Sequence, residues 1–196
     1  MGLPISTEKR YTVEEYLNLA DRSETRLEFE DGQIVDMGKT TDTHAELAFN
    51  TASDLKPQAS KSGCKVYMES VALEAEKDNR YFLPDVMLTC DERDHADRNM
   101  KRYPSLVVEI VSPSSSQRDR DVKFRAYLRI PSIKYYVLIA QDQIRVEVFA
   151  RMESSKGWAF TYYESIEDSI EFQELGFKLS LNNIYEGVSL ISDDMN

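Results

Sequence analysis

Polar and apolar positions change period several times along this chain, and each change marks an element. In TVEEYLNLA, Thr12 and Glu15 stand at capping-box spacing ahead of apolar residues at helical intervals, which predicts a helix. RLEFEDGQIVDM then alternates with period two on both sides of Asp31-Gly32, the dipeptide of a two-residue hairpin turn. THAELAFNTASDL returns to the helical period. Thr43 and Glu46 form a second capping box there, and Ala45, Ala48, Ala52 and Leu55 define a narrow apolar face. After Ser62-Gly63 come three strand-like segments, CKVYMESVALEAE, RYFLPDVMLTC and SLVVEIV. RDRDVKFRAYLRI reads as a helix ended by Pro131, and IKYYVLIA as a buried strand. QIRVEVFA and WAFTYYES read as a hairpin turning near Lys156-Gly157, and LSLNNIYEGV as a short helix.

This order predicts an α/β fold of α+β type, a mixed sheet with helices on its faces. No linker divides it, so residues 1–196 read as one unit. Its core is expected at 42–140, an N-terminal helix and hairpin at 12–38, and a C-terminal hairpin and tail at 143–190.

Two acids break the apolar pattern. In SLVVEIV, alternation places Leu106, Val108 and Ile110 on one face and Val107, Glu109 and Val111 on the other. A buried charge there costs several kcal/mol, roughly, unless it is paired. The second acid is Asp85, set between Leu83-Pro84 and Val86-Met87, where proline suggests an edge or a bulge. Two carboxylates on neighbouring strands repel one another, and a hard divalent cation relieves both charges. Asp85 and Glu109 are therefore expected to share a metal. Downstream, Asp119, Lys123 and Tyr127 follow at i, i+4 and i+8 on one helical face. If that helix packs over the sheet, Lys123 reaches the carboxylates and can stabilise developing anionic charge. Each of these residues also has a plainer reading. Glu109 can be an ion-pair partner of a lysine or arginine, Asp85 a turn acid, and Lys123 a surface partner of Asp119. His95, in DERDHADRNMKR, reads as part of a solvated loop. SPSSS lacks the glycines and histidine spacing of a nucleophilic serine, so it reads as a loop and helix cap.

Composition narrows the function. The formal net charge of −11 argues against coating nucleic acid by electrostatics alone, but acids gathered around a cation account for part of it. The hydrophobic fraction of 41% supports a real core. No apolar run is long enough to span a bilayer, and MGLPISTEKR has no signal-peptide pattern, so no membrane role is expected. Two cysteines, Cys64 and Cys90, are too few for a disulfide framework and form no metal-type CxxC; a reducing cytoplasm is the default.

Asp85 in PD and Glu109 in VVEIV resemble the PD-(D/E)-x-K nuclease superfamily, except that Val111 stands where that pattern has lysine. The longer run of RLEFEDGQIVDM, His44, LPDV, LVVEIVSPSSS, DRDVKFRAY and YYVLI resembles the Uma family of restriction-endonuclease-like proteins, once classed as a domain of unknown function. That family also carries its lysine on the helix, four residues after an Asp and four before a Tyr, as Asp119, Lys123 and Tyr127 are here. The resemblance covers roughly residues 12 to 188. It implies a restriction-endonuclease-like core and a DNA endonuclease using Mg²⁺ or Mn²⁺. Asp85, Glu109 and Lys123 would be catalytic. Asp85, Glu109 and the Ile110 carbonyl would be metal ligands, with Glu28 and His44 recurrent polar positions nearby. Pro131 and Ser132 replace the glycine turn usual in the family, and Ala140 falls near its usual Asp. By analogy with nucleases that cut both strands, a homodimer is the expected assembly. The competing reading is a non-catalytic nuclease-like scaffold that binds nucleic acid or a protein partner.

Overall fold

The structure is a computed structural model describing residues 3–4, 9–69, 71–112, 119–152 and 157–190, the side chains of 3–4 and of Asp119 excepted. Its elements in chain order begin with β1 (Leu3–Pro4), α1 (Val13–Ala20), β2 (Leu27–Glu30), β3 (Gln33–Asp36) and α2 (Asp42–Lys61). There follow β4 (Lys65–Met68), β5 (Ala72–Glu76), β6 (Arg80–Phe82), β7 (Val86–Thr89), α3 (Glu92–Ala96), β8 (Met100–Lys101) and β9 (Leu106–Val111). A π-helical turn, Asp119–Lys123, runs directly into α4 (Phe124–Arg129). The chain ends with β10 (Tyr135–Ala140), β11 (Val146–Arg151), β12 (Trp158–Tyr163), β13 (Ser169–Phe172), β14 (Phe177–Ser180) and α5 (Leu181–Ile184).

Among the described residues the strands form two six-stranded sheets, in the orders β1-β3-β2-β6-β5-β8 and β12-β11-β10-β9-β7-β4, and a β13–β14 hairpin. In the second sheet β9 and β10 are parallel, joined by the crossover that contains α4, while the other neighbours are antiparallel. This is the mixed α/β fold that the pattern predicts. The alternation in SLVVEIV sorts its residues between two cores. Leu106, Val108 and Ile110 pack with Leu47, Ala48, Ala52 and Leu55 of α2. Val107 and Val111 pack with Ala126 and Tyr127 of α4 and with Leu73 and Phe82 from the first sheet. A third cluster seats Tyr16 of α1 on Leu27, Phe29, Ile34 and Tyr81.

The Thr12–Glu15 capping box forms as expected, and Asp31 and Gly32 both take positive φ in the turn between β2 and β3. Several expectations are corrected. The cap of α2 is Thr41, whose hydroxyl accepts the His44 N–H; Thr43 lies inside the helix and bonds the Ser189 carbonyl. Ala45 is exposed, because the buried stripe runs through Leu47, Ala48, Thr51, Ala52, Leu55 and Ala59. Two of the strand-like segments each break and feed both sheets. Glu69 separates β4 from β5, and Pro84 separates β6 from β7, so β7 is an interior strand rather than an edge. The charged run is not simply a solvated loop. Asp91 caps α3, and the buried Asp94 carboxylate accepts the Arg102 and Tyr103 N–H groups and the Thr89 hydroxyl. His95 lies on α3, partly buried. Finally, Cys64 and Cys90 form a disulfide. They flank the β4–β7 ladder, where Lys65 already faces Thr89, so the register brings them opposite one another.

Candidate active site

The β7–β9 ladder pairs Leu88 with Leu106, Met87 with Val107 and Val86 with Val108. One further step in that register would set Asp85 against Glu109, but the ladder stops at Val86. The Ile110 N–H, left without a strand partner, donates instead to Asp85 Oδ2 at 2.7 Å. A side-chain carboxylate thus completes the edge of the ladder, and Asp85 is fixed beside the peptide that follows Glu109.

Asp85 Oδ1 lies 2.9 Å from His44 Nε2, and His44 is positioned by the first turn of α2. On the other side of the ring, Nδ1 is 3.4 Å from Gln141 Nε2, while Gln141 Oε1 accepts the Thr41 hydroxyl at 3.2 Å. These contacts suit an imidazole protonated at Nε2, donating to Asp85 and accepting from Gln141. Burial by itself pushes the Asp85 carboxyl up. The His44 hydrogen bond, the Lys123 charge and the Ile110 N–H outweigh it and hold the group below the usual carboxylate range.

Glu109 has a different set of partners. Lys123 Nζ donates to both of its carboxylate oxygens at 3.1 Å, and the Tyr127 hydroxyl donates to Oε1 at 2.8 Å. Lys123 Nζ also lies 3.2 Å from Glu28 Oε1, which in turn accepts the Leu83 N–H at 2.9 Å. All four side chains are buried: Glu28 and Tyr127 at 0% exposure, Glu109 and Lys123 at 2%. Burial, then the charges of Glu109 and Glu28, push the Tyr127 hydroxyl well above its ordinary pKa, so it remains a donor. The expected i, i+4 relation between Lys123 and Tyr127 is what lets both reach one carboxylate from above the sheet. Lys123 closes the π-helical turn, an irregularity that re-aims side chains and recurs at functional sites. Asp119 opens that turn, and its side chain lies outside the described residues, as do residues 113–118 of the SPSSSQ loop.

The structure therefore joins Glu28, Glu109, Lys123 and Tyr127 in one buried network, and Asp85 and His44 in an adjoining one. Glu109's charge is met within the protein by Lys123. Ile110 contributes its N–H to Asp85.

Two residues at this site had no reading in the sequence. Gln141 follows β10 and holds the far side of the His44 ring. Glu69 follows β4 with φ of 44°, and its N–H donates to the carbonyls of Pro84 and Asp85 at 3.2 and 3.3 Å. Its Oε1 lies 3.5 Å from Arg26 Nη1 and 3.9 Å from His44 Nε2, and the atom is buried without a hydrogen-bond partner. Among the described residues, ligand atoms of His44, Glu69 and Asp85 all lie within 4.8 Å of one another. One imidazole and two carboxylates are a donor set suited to a divalent cation, so the site fits a metal as far as its donors go.

The fold has known counterparts. The crystal structure titled "a putative nuclease belonging to DUF820", from Anabaena variabilis, superposes with a TM-score of 0.68 at 18% identity, covering 89% of this chain and 97% of that one. Two Synechocystis proteins are similar in sequence. The uncharacterized protein slr1290 is 27% identical over 180 residues, 92% of this chain and 94% of that protein. The uncharacterized protein sll1609 is 28% identical over 170 residues, 86% of this chain and 96% of that protein. The family model described as "Putative restriction endonuclease" matches residues 13–182, and the chain belongs to that family, Uma2.

Proposed function

We propose that this protein is a metal-dependent nuclease that hydrolyses phosphodiester bonds in DNA, with Mg²⁺ or Mn²⁺ as its cation. The observation that carries the reading is the junction at β9. Asp85 is bonded to the Ile110 N–H, and the preceding residue, Glu109, holds the Lys123 ammonium. Two carboxylates and a cationic side chain, from the residue before β7, from β9 and from the π-helical turn, converge where β7 begins. Asp85 is the carboxylate given to the metal. Glu109 and the Ile110 carbonyl would complete the family-type ligand set, with Lys123 then serving a bound phosphate rather than Glu109. When bound, the metal supplies a more acidic water and polarises the scissile phosphate. The chain's own residues do the rest. Glu28, fixed by the Leu83 N–H, holds Lys123 aimed at the site. Tyr127 holds the Glu109 carboxylate in one rotamer. Lys123 meets the charge that develops on phosphorus oxygens. The reading treats the chain as one nuclease unit with Asp85, Glu109 and Lys123 in the core at 42–140 and Glu28 supplied by the N-terminal hairpin.

The second reading, a non-catalytic scaffold, also has an observation behind it: both acids are already hydrogen-bonded inside the protein. Cleavage of supercoiled and linear DNA with Mg²⁺ or Mn²⁺ separates the two. The nuclease reading expects metal-dependent cutting that Lys123→Ala, in a sample verified as folded, lowers by orders of magnitude. Undiminished cutting by that variant removes Lys123 from the mechanism.

A further inference from the structure

We propose that His44 Nε2, Glu69 Oε1 and Asp85 Oδ1 form a three-ligand site for a divalent transition metal, Mn²⁺ or Zn²⁺. Glu69 is the new member of the set. The proposal deepens the nuclease reading, on which it rests, by adding His44 and Glu69 beside Asp85 as ligands of its metal.

Three observations converge on Glu69. It is a non-glycine residue in the left-handed region, a conformation that carries strain and recurs at ligand clamps. Its N–H is tied to the Pro84 and Asp85 carbonyls, so its backbone is locked to the segment that presents Asp85. Its Oε1 is buried, lacks a hydrogen bond and is 3.9 Å from His44 Nε2. Metal–ligand distances of about 2.0–2.2 Å place tetrahedral ligand atoms roughly 3.4 Å apart. The His44–Asp85 contact of 2.9 Å and the His44–Glu69 contact of 3.9 Å straddle that separation. Small side-chain rotations therefore bring the three onto one ion, with further positions left for water or a phosphate oxygen. Glu109 enters this set only by giving up Lys123 and Tyr127.

The proton balance closes locally. Ligation through Nε2 moves the imidazole proton to Nδ1, where it needs an acceptor. A flip of the Gln141 amide, which keeps its shape, turns Oε1 toward Nδ1. The amide NH₂ then faces the Thr41 hydroxyl, which rotates to accept. Ligating histidines donate their second nitrogen in this way. Two cations oppose the metal: Arg26 Nη1, 3.5 Å from Glu69 Oε1, and Lys123, whose charge acts on Asp85. The donor set gives the preference: the imidazole favours Zn²⁺, and Mn²⁺ accepts a nitrogen beside two carboxylates more readily than Mg²⁺, which prefers oxygen and retains its waters.

Calorimetric titration of the metal-free full chain with MnCl₂, ZnCl₂ and MgCl₂, with Mn²⁺ EPR as a second readout, tests the site. The expected result is Zn²⁺ and Mn²⁺ binding at least tenfold tighter than Mg²⁺. Glu69→Gln and His44→Ala each weaken Mn²⁺ binding at least tenfold, Arg26→Gln tightens it, and Mn²⁺ EPR shows nitrogen coupling that His44→Ala abolishes. Circular dichroism and thermal melts confirm that each variant is folded; Glu69→Gln, the more exposed position, serves if His44→Ala is not. Mn²⁺ binding that survives Glu69→Gln and loses no nitrogen coupling in His44→Ala overturns the proposal, as does no Mn²⁺ binding at millimolar concentration. Ligand-dependent binding without DNA cleavage leaves the site standing and refutes the nuclease reading. Cleavage with Mn²⁺ binding indifferent to Glu69 does the reverse.

Discussion

Lys123→Met isolates the charge on which the buried network depends. Methionine keeps most of the side-chain volume, so little cavity opens. What is lost is a cation 3.1 Å from both Glu109 oxygens and 3.2 Å from Glu28 Oε1, between carboxylates that are 2% and 0% exposed. At an effective dielectric of about 20, one contact at that distance is worth roughly 5 kcal/mol before desolvation is counted. Removing one partner of a buried pair costs about 3–5 kcal/mol overall. For a chain of this size that corresponds to a fall in melting temperature of roughly 6–20 °C. Glu109→Gln should cost less, because Lys123 retains Glu28 and one buried charge disappears. Added to Lys123→Met, it should recover part of the loss. Urea melts in chelator measure all three. A Lys123→Met protein within about 1 kcal/mol of wild type would refute the reasoning, since so exposed or so redundant a pair could not organise the site.

Tyr127→Phe removes one hydrogen bond to a buried carboxylate and should destabilise by about 1.5–3 kcal/mol, measured in the same melts. The Asp85 carboxyl titrates below its unfolded value of about 3.9, so its ionised form contributes stability above that pH and the contribution is lost as pH falls through the folded pKa. In chelator, Asp85→Asn should therefore flatten the acid limb of the stability profile below about pH 4. Reduction of Cys64–Cys90, which closes 26 residues, should lower stability by about 3.5 kcal/mol on the chain-entropy account, seen by comparing melts with and without reductant; unchanged melts would mean that the β4–β7 ladder alone restrains the segment.

Much of this site was legible because it breaks the pattern around it. Glu109 stands out in an apolar strand, Asp85 beside a proline, and Lys123 and Tyr127 share a helical face, so the sequence brings Lys123 within reach of Glu109 even though it reads the acid's partner as a metal. Glu28 was marked only by the family resemblance, because Leu27-Glu28-Phe29-Glu30 alternates like a half-solvated strand. Its burial comes from Lys123 and Leu83, far along the chain. Glu69 left no local signal, since its role follows from a left-handed backbone and from contacts with Asp85 and His44. The disulfide was hidden for a similar reason: two cysteines 26 residues apart become neighbours only once the β4–β7 register is known. The segments around Glu69 and Pro84 each looked like one strand, because hydrophobic period alone does not reveal that a chain leaves one sheet for another.

Nicking of supercoiled plasmid by wild type and Asp85→Asn, each with Mn²⁺, Mg²⁺ or chelator, tests the central claim most directly. Wild type should nick with metal and not in chelator, and Asp85→Asn, folded and with Lys123 still on Glu109, should nick at least a hundredfold more slowly. Equal rates for the two proteins, or no nicking of any DNA form with either metal, would contradict the account.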